Sequence, residues 1–188
     1  MRTRSTRAAI ALLLLVATPV AAQVAAPPQQ GALAAAADYR LGSGDRLRIS
    51  VYDEEGMTGE YQVSELGIIS FPLIGDYPAG GKTVPQLRAD LERRLGSGLL
   101  NDPKVTAEVI AFRPFYILGE VNKPGTYPYT PGLTLYHAVA TAQGFTYRAN
   151  SRKVMITRAG ETKETKVEVT AATRIQPGDT IRVREKIF

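Results

Sequence analysis

The sequence predicts an α+β protein of two small domains, each a β-sheet with one main helix. Three observations carry that expectation. Period-2 apolar alternation recurs in short segments, only two stretches have helical spacing, and Pro-Gly or Gly-Asp turns separate the segments. With 188 residues, 44% hydrophobic and 22% charged, the chain has enough apolar material for two small cores. Runs of strands broken by one helix in each half favour α+β over an alternating parallel sheet.

Residues 1–22 read as a cleavable secretory signal peptide. Arg2, Arg4 and Arg7 precede the apolar run Ala8–Ala17, which is short for a bilayer span, and Val20-Ala21-Ala22 suits cleavage before Gln23. Removing three arginines from the formal charge of +5 leaves 20 basic against 18 acidic residues, or +2. That balance, with no basic block interleaved with aromatics, argues against a nucleic-acid partner. Cysteine is absent, so disulfides, thiolate metal sites, cysteine nucleophiles and a lipid-modified cysteine are all excluded, and the expected product is not a lipoprotein. Residues 23–37, nearly all Ala, Pro, Gln and Gly, read as a disordered linker.

The first domain is expected over 38–112. A Gly42-Ser43-Gly44-Asp45 turn leads into a strand with Leu47, Ile49 and Val51 on one face and Arg46, Arg48 and Ser50 on the other. A polar turn is expected over Asp53–Gly59, then two short strands near Glu60–Val63 and Ile68–Pro72 around Gly67. Gly75 and Gly80-Gly81 punctuate the segment that follows. Thr83 and Gln86 have capping-box spacing, and Val84, Leu87, Leu91 and Leu95 form one face of a helix ended by Gly96–Gly98. After an Asn101-Asp102-Pro103 turn, Val105, Ala107, Val109 and Ala111 alternate as a strand.

The second domain is expected over 113–188. It opens with a hairpin, Tyr116-Ile117-Leu118 leading into Gly119-Glu120-Val121 and then Asn122-Lys123-Pro124-Gly125, with positive φ expected at Gly125, before Thr126–Tyr129. Thr134 is positioned to cap a short helix with Leu135, Ala138, Val139 and Ala142 inward, and Gly144 is read as its C′ glycine. Strands follow at Lys153–Arg158, Glu164–Val169 and Thr180–Arg184, with turns at Ala159-Gly160 and Pro177-Gly178-Asp179.

Chemical motifs are weak. Gly81-Lys82-Thr83 fails as a phosphate-binding loop because Asp76 occupies the first glycine position of that spacing. His137 is the sole histidine, with no orienting partner near it in sequence, so it reads as a helix-surface or packed residue. Asp53, Glu54 and Glu55 lack the alternating ligands of a calcium loop. No catalytic residues, cofactor or metal site are assigned.

The ordered series YRLGSGDRLRISVY, VSELGIISFPLIG, GKTVPQLRADLERRL, NDPKVTAEV, FYILGEVNKPGTYPY, TLYHAVATAQGF and PGDTIRV resembles the bacterial polysaccharide biosynthesis/export family of outer-membrane polysaccharide export. The resemblance implies a polysaccharide export domain followed by a β-grasp-like SLBB domain. Its motif residues here are Gly42, Gly44, Asp45, Gly67, Pro72, Gly75, Gly119, Glu120, Val121, Pro124, Gly125, Gly144, Pro177, Gly178 and Asp179, in structural or interface roles. Two positions depart from the family pattern: Gln143 replaces the usual Gly of an Ala-Gly-Gly step, and Glu65 replaces a common Asp. Since nothing follows Phe188, the resemblance implies a short form without its own membrane span. It also implies a non-enzymatic periplasmic component of exopolysaccharide or capsule transport, associated with the outer membrane through partners. Those partners would be the polysaccharide chain, further copies in a ring, an inner-membrane co-polymerase and a separate outer-membrane barrel. Arg and Tyr side chains on exposed strand faces are the expected lining of the glycan path. A free-standing periplasmic glycan-binding module is the alternative.

Overall fold

The computed structural model describes residues 39–186; the signal-peptide and linker expectations lie outside them. Ten strands and two helices follow in order: β1 (Arg46–Val51), β2 (Glu54–Gln62), β3 (Ile68–Phe71), β4 (Gly75–Pro78), α1 (Val84–Gly96), β5 (Val105–Ala111), β6 (Phe115–Gly119), β7 (Gly125–Tyr127), α2 (Leu135–Thr141), β8 (Lys153–Thr157), β9 (Glu164–Glu168) and β10 (Thr180–Val183).

In the first half, β1 is the centre of an antiparallel sheet ordered β2-β1-β5, and β3 and β4 form a separate hairpin. The alternation in β1 buries Leu47, Ile49 and Val51 against Leu87, Leu91 and Leu95 of α1 in one core cluster. α1 begins where the sequence places it, because the Thr83 hydroxyl accepts from Gln86 N while the Gln86 side chain accepts from Thr83 N.

The second half is a five-stranded sheet ordered β7-β6-β10-β8-β9, in which β10 pairs parallel with β6 and every other pair is antiparallel. Its first and last long strands are therefore neighbours at the centre. Phe115, Ile117, Ile156, Ile181 and Val183 pack with Leu135, Ala138 and Val139 of α2 into a second core that shares no residue with the first.

Four sequence expectations need correction. The expected polar turn over Asp53–Gly59 is mostly strand, since β2 starts at Glu54 and only Tyr52-Asp53 turns, with Asp53 at φ 62°. Glu54, Glu55 and Gly56 disguised it, because an edge strand tolerates charge and glycine. β4 is a full partner of β3, although Gly75 and Gly80-Gly81 read as punctuation, with no strand expected there.

Gly125 is not at positive φ; the left-handed residue of that connection is Gly119, at φ 90°, where an added Cβ would lie 2.0 Å from Val183 O. α2 ends one residue earlier than a Gly144 C′ requires. Ala142 is the C-cap, and Gln143 at φ 62° takes the C′ position with Gly144 after it at φ 87°. Gln143 N donates to Ala140 O and Gly144 N to Val139 O, the two bonds of a Schellman closure. The family-atypical Gln143 thus occupies the conformation that glycine adopts without strain.

Candidate functional site

The structure gathers six of the sequence-selected residues at the junction of the two cores. Gly42-Ser43-Gly44-Asp45 opens β1 and Gln176-Pro177-Gly178-Asp179 opens β10, and the two turns have the same construction. In each, the aspartate N donates to the carbonyl three residues back (Asp45 to Gly42, 3.1 Å; Asp179 to Gln176, 3.2 Å). Each carboxylate returns the bond by accepting from that residue's N, at 2.8 Å for Gly42 and 2.7 Å for Gln176. The third residue is left-handed in both, Gly44 at φ 92° and Gly178 at φ 83°, as a type II turn requires. A shared pattern, Gly-Asp-x-apolar-Arg-apolar, runs through Gly44–Ile49 and Gly178–Val183.

Arg113 sits between the turns. Its N donates to Asp45 Oδ1 at 2.8 Å, its Nη1 lies 3.9 Å from Asp45 Oδ2, and its Nε donates to Pro177 O at 3.0 Å. The guanidinium lies against Gly42, where an added Cβ would come within 1.4 Å of Nη1. Any side chain at 42 would displace it. The chain on either side closes the junction: Gly178 N donates to Pro114 O and Tyr116 N to Asp179 O. Three rings line the same seam edge to face, Tyr39 to Phe112 at 5.0 Å and Phe112 to Tyr129 at 5.5 Å.

Both aspartates are wholly buried, but their surroundings differ. Asp45 also accepts from the Tyr39 hydroxyl at 2.6 Å. Burial, reinforced by that bond, pushes the Tyr39 phenol well above its ordinary value, so it stays a neutral donor. Asp179 is paired with Arg158 Nη1, yet its Oδ1 has no hydrogen-bond partner among the described residues. Burial raises the Asp179 carboxyl above the usual carboxylate range, outweighing the Gln176 N–H and the Arg158 charge.

The seam opens outward as a cleft of about 570 Å³ lined by Ser43, Gly44, Arg113, Tyr116, Gly160 and Gly178 together with Pro114 and Ala159. Tyr116 stands on the outer face of β6 and is 41% exposed. Arg113, Arg158, Tyr39 and Tyr116 went unrecognised at the sequence level as one site. The signal that could have found it is the repeated Gly-Asp pattern, which marks two equivalent turns and prompts the question of what lies between them.

The other selected residues fall elsewhere. Gly67 closes the β2–β3 turn, where its carbonyl accepts from Ala79 N and Gly80 N. Pro72 and Gly75 flank the tip of the β3–β4 hairpin, with Leu73 left-handed and 61% exposed between them. Gly119, Glu120, Val121 and Gly144 form a third group: Thr146 Oγ1 donates to Glu120 Oε2, Asn122 N donates to Gly144 O, and buried Val121 bridges Phe145. Pro124 and Gly125 lie exposed at the β6–β7 turn. The arginines of β1 face outward but are not free, since Arg46 pairs with Glu60 and Arg48 with Glu60 and Glu108. Arg182, their counterpart on β10, pairs with Glu164, whose carboxyl that guanidinium holds below the usual range. His137 is exposed on α2 and donates its N to the Thr134 cap.

Comparison with known proteins joins the two halves. Residues 33–110 match the polysaccharide biosynthesis/export protein family and residues 113–183 match the SLBB domain. The chain belongs to the polysaccharide export proteins that carry an SLBB domain. Within this family, the exopolysaccharide production protein ExoF of Rhizobium meliloti is 31% identical over 184 residues, covering 92% of this chain and 44% of the relative. The EPS I polysaccharide export outer membrane protein EpsA of Ralstonia nicotianae is 29% identical, covering 82% of this chain and 49% of the relative. EpsA of Ralstonia solanacearum is 32% identical over 157 residues, with 69% and 41% covered. The export chain thus spans under half the length of these relatives. No helix among its described residues is long and apolar enough to cross a membrane.

Proposed function

We propose that this chain is a periplasmic, non-enzymatic component of an exopolysaccharide or capsule export machine. It guides the glycan from an inner-membrane assembly complex to an outer-membrane channel. The observation that carries the reading is the match of both domains, in order, to families whose curated relatives are named for exopolysaccharide production and export. Polysaccharide export is a transport function rather than catalysis, and what transport asks of a protein is a stable surface along which a polymer slides. The junction supports this, because the Arg113 bonds and the aromatic seam hold the two domains against each other without a hinge segment between β5 and β6. In this reading several copies form a ring, with an inner-membrane co-polymerase and a separate outer-membrane barrel as partners.

Deletion of the gene followed by measurement of secreted and cell-retained polysaccharide tests the proposal. Secreted polymer should collapse while retained polymer persists, and the full-length gene should restore secretion. Unchanged secretion, or release of reducing ends from the polymer by the purified protein, would overturn it.

A further inference from the structure

Resting on the export reading, we propose that the interdomain cleft is a weak binding subsite for an acidic sugar, taking the carboxylate on Arg113 and the pyranose face on Tyr116. The charges at the junction are layered. Asp45 and Asp179 are fully buried, whereas the Arg113 and Arg158 side chains keep 22% and 34% of their surface. The carboxylates therefore lie beneath and the guanidinium groups above, so the solvent side of an otherwise balanced cluster is cationic. Arg113 Nε is committed to Pro177 O and Nη1 to the Asp45 side. Nη2 has no hydrogen-bond partner among the described residues, nor do the Ser43 and Tyr116 hydroxyls, and all three residues line the cleft.

The rest of the lining suits a sugar. At Gly160 no atom would meet an added Cβ within 4 Å, so a ring can approach the main chain closely there, while the side-chain directions of Gly44 and Gly178 face Arg113 and Ala159. Tyr116 offers an aromatic face on a rigid strand, held by pairing to Thr126 on one side and Thr180 on the other. A guanidinium donor to a carboxylate is a charge-assisted bond, stronger than a hydroxyl contact. Because the cleft is open, water competes, and affinity stays low enough for a moving polymer to leave.

The test is an NMR titration of the folded full-length chain with trigalacturonate, and with its methyl ester as a neutral control of the same shape. The acid should shift the Ser43, Gly44, Gly160 and Gly178 amides and the Arg113 Nε–H saturably, and the ester should bind about tenfold more weakly. Tyr116→Ala, at an exposed position, should weaken the acid comparably while leaving thermal stability unchanged. Arg113→Lys should lose most of the preference for acid over ester. Absent cleft shifts, equal binding of acid and ester, or full binding by Tyr116→Ala would each overturn the subsite. Secretion after gene deletion, set beside the titration, separates the two proposals. Secretion lost on gene deletion with no cleft binding removes the subsite and leaves the export role, whereas cleft binding with secretion intact after deletion removes the export role alone.

Discussion

The turn that opens β1 and the turn that opens β10 share backbone geometry and sequence, yet they load their aspartates differently. Asp45 accepts from Gly42 N, Tyr39 Oη and Arg113 N, spreading three donors over both oxygens. Asp179 gathers Gln176 N and Arg158 on one oxygen and leaves the other buried and bare. A repeated turn is thus a backbone device whose energetic weight is set by what surrounds it. In the first domain it is also a tie to its neighbour, and in the second it chiefly starts a strand.

The largest effect should come from removing the better-loaded carboxylate. Asp45→Ala strands the Arg113 and Gly42 N–H groups and the Tyr39 hydroxyl, and should cost about 4 kcal/mol, against about 2 kcal/mol for Asp179→Ala. Urea unfolding of both variants checks the order, and equal losses would break the contrast between the turns.

The glycines should reverse that order. Gly44→Ala is strained by its φ but meets only Arg113 Cβ, at 3.4 Å. Gly178→Ala is equally strained and places its Cβ 2.8 Å from Ala159 Cβ and 2.9 Å from Arg113 Nε. Costs of about 1 and about 3 kcal/mol respectively are expected by thermal unfolding.

A smaller effect tests the atypical helix end. Gln143→Gly relieves a left-handed non-glycine residue and should stabilise the second domain by about 0.5–1 kcal/mol, read as a raised midpoint in urea. By contrast Gly125→Ala, at an exposed position without positive φ, should change stability little.

The smallest effect is in pH. The folded Asp179 carboxyl titrates above its unfolded value of about 3.9, so between the two the folded protein holds more protons and stability falls as pH rises. Asp179→Asn should flatten that slope on the acid side of neutrality, while a parent whose stability only rises from pH 4 upward would contradict the assignment.

Much of the fold was legible because it rests on local rules. Leu47, Ile49 and Val51 alternate, Thr83 and Gln86 cap α1, and Thr134 caps α2, each set by residues a few positions apart. What escaped depends on distant contacts. β2 and β4 look like turns because Glu54, Glu55, Gly75 and Pro78 gain their strand character from their partners β1 and β3. Positive φ fell on Gly119 rather than Gly125 because β6 must bend where it passes the Val183 carbonyl of β10, 64 residues later. The junction was visible only in pieces. Both Gly-Asp turns stood out, but Arg113 looked like a boundary residue, and only folding brings Pro177 to its side chain.

Arg113, bonded to both turns, is expected to make two separately cored domains behave as one body. Differential scanning calorimetry of the full-length chain and of Arg113→Ala tests this most directly. One cooperative transition with equal calorimetric and van't Hoff enthalpies is predicted for the parent, resolving into two transitions in the variant. Two transitions in the parent, or a single undivided one in Arg113→Ala, would contradict it.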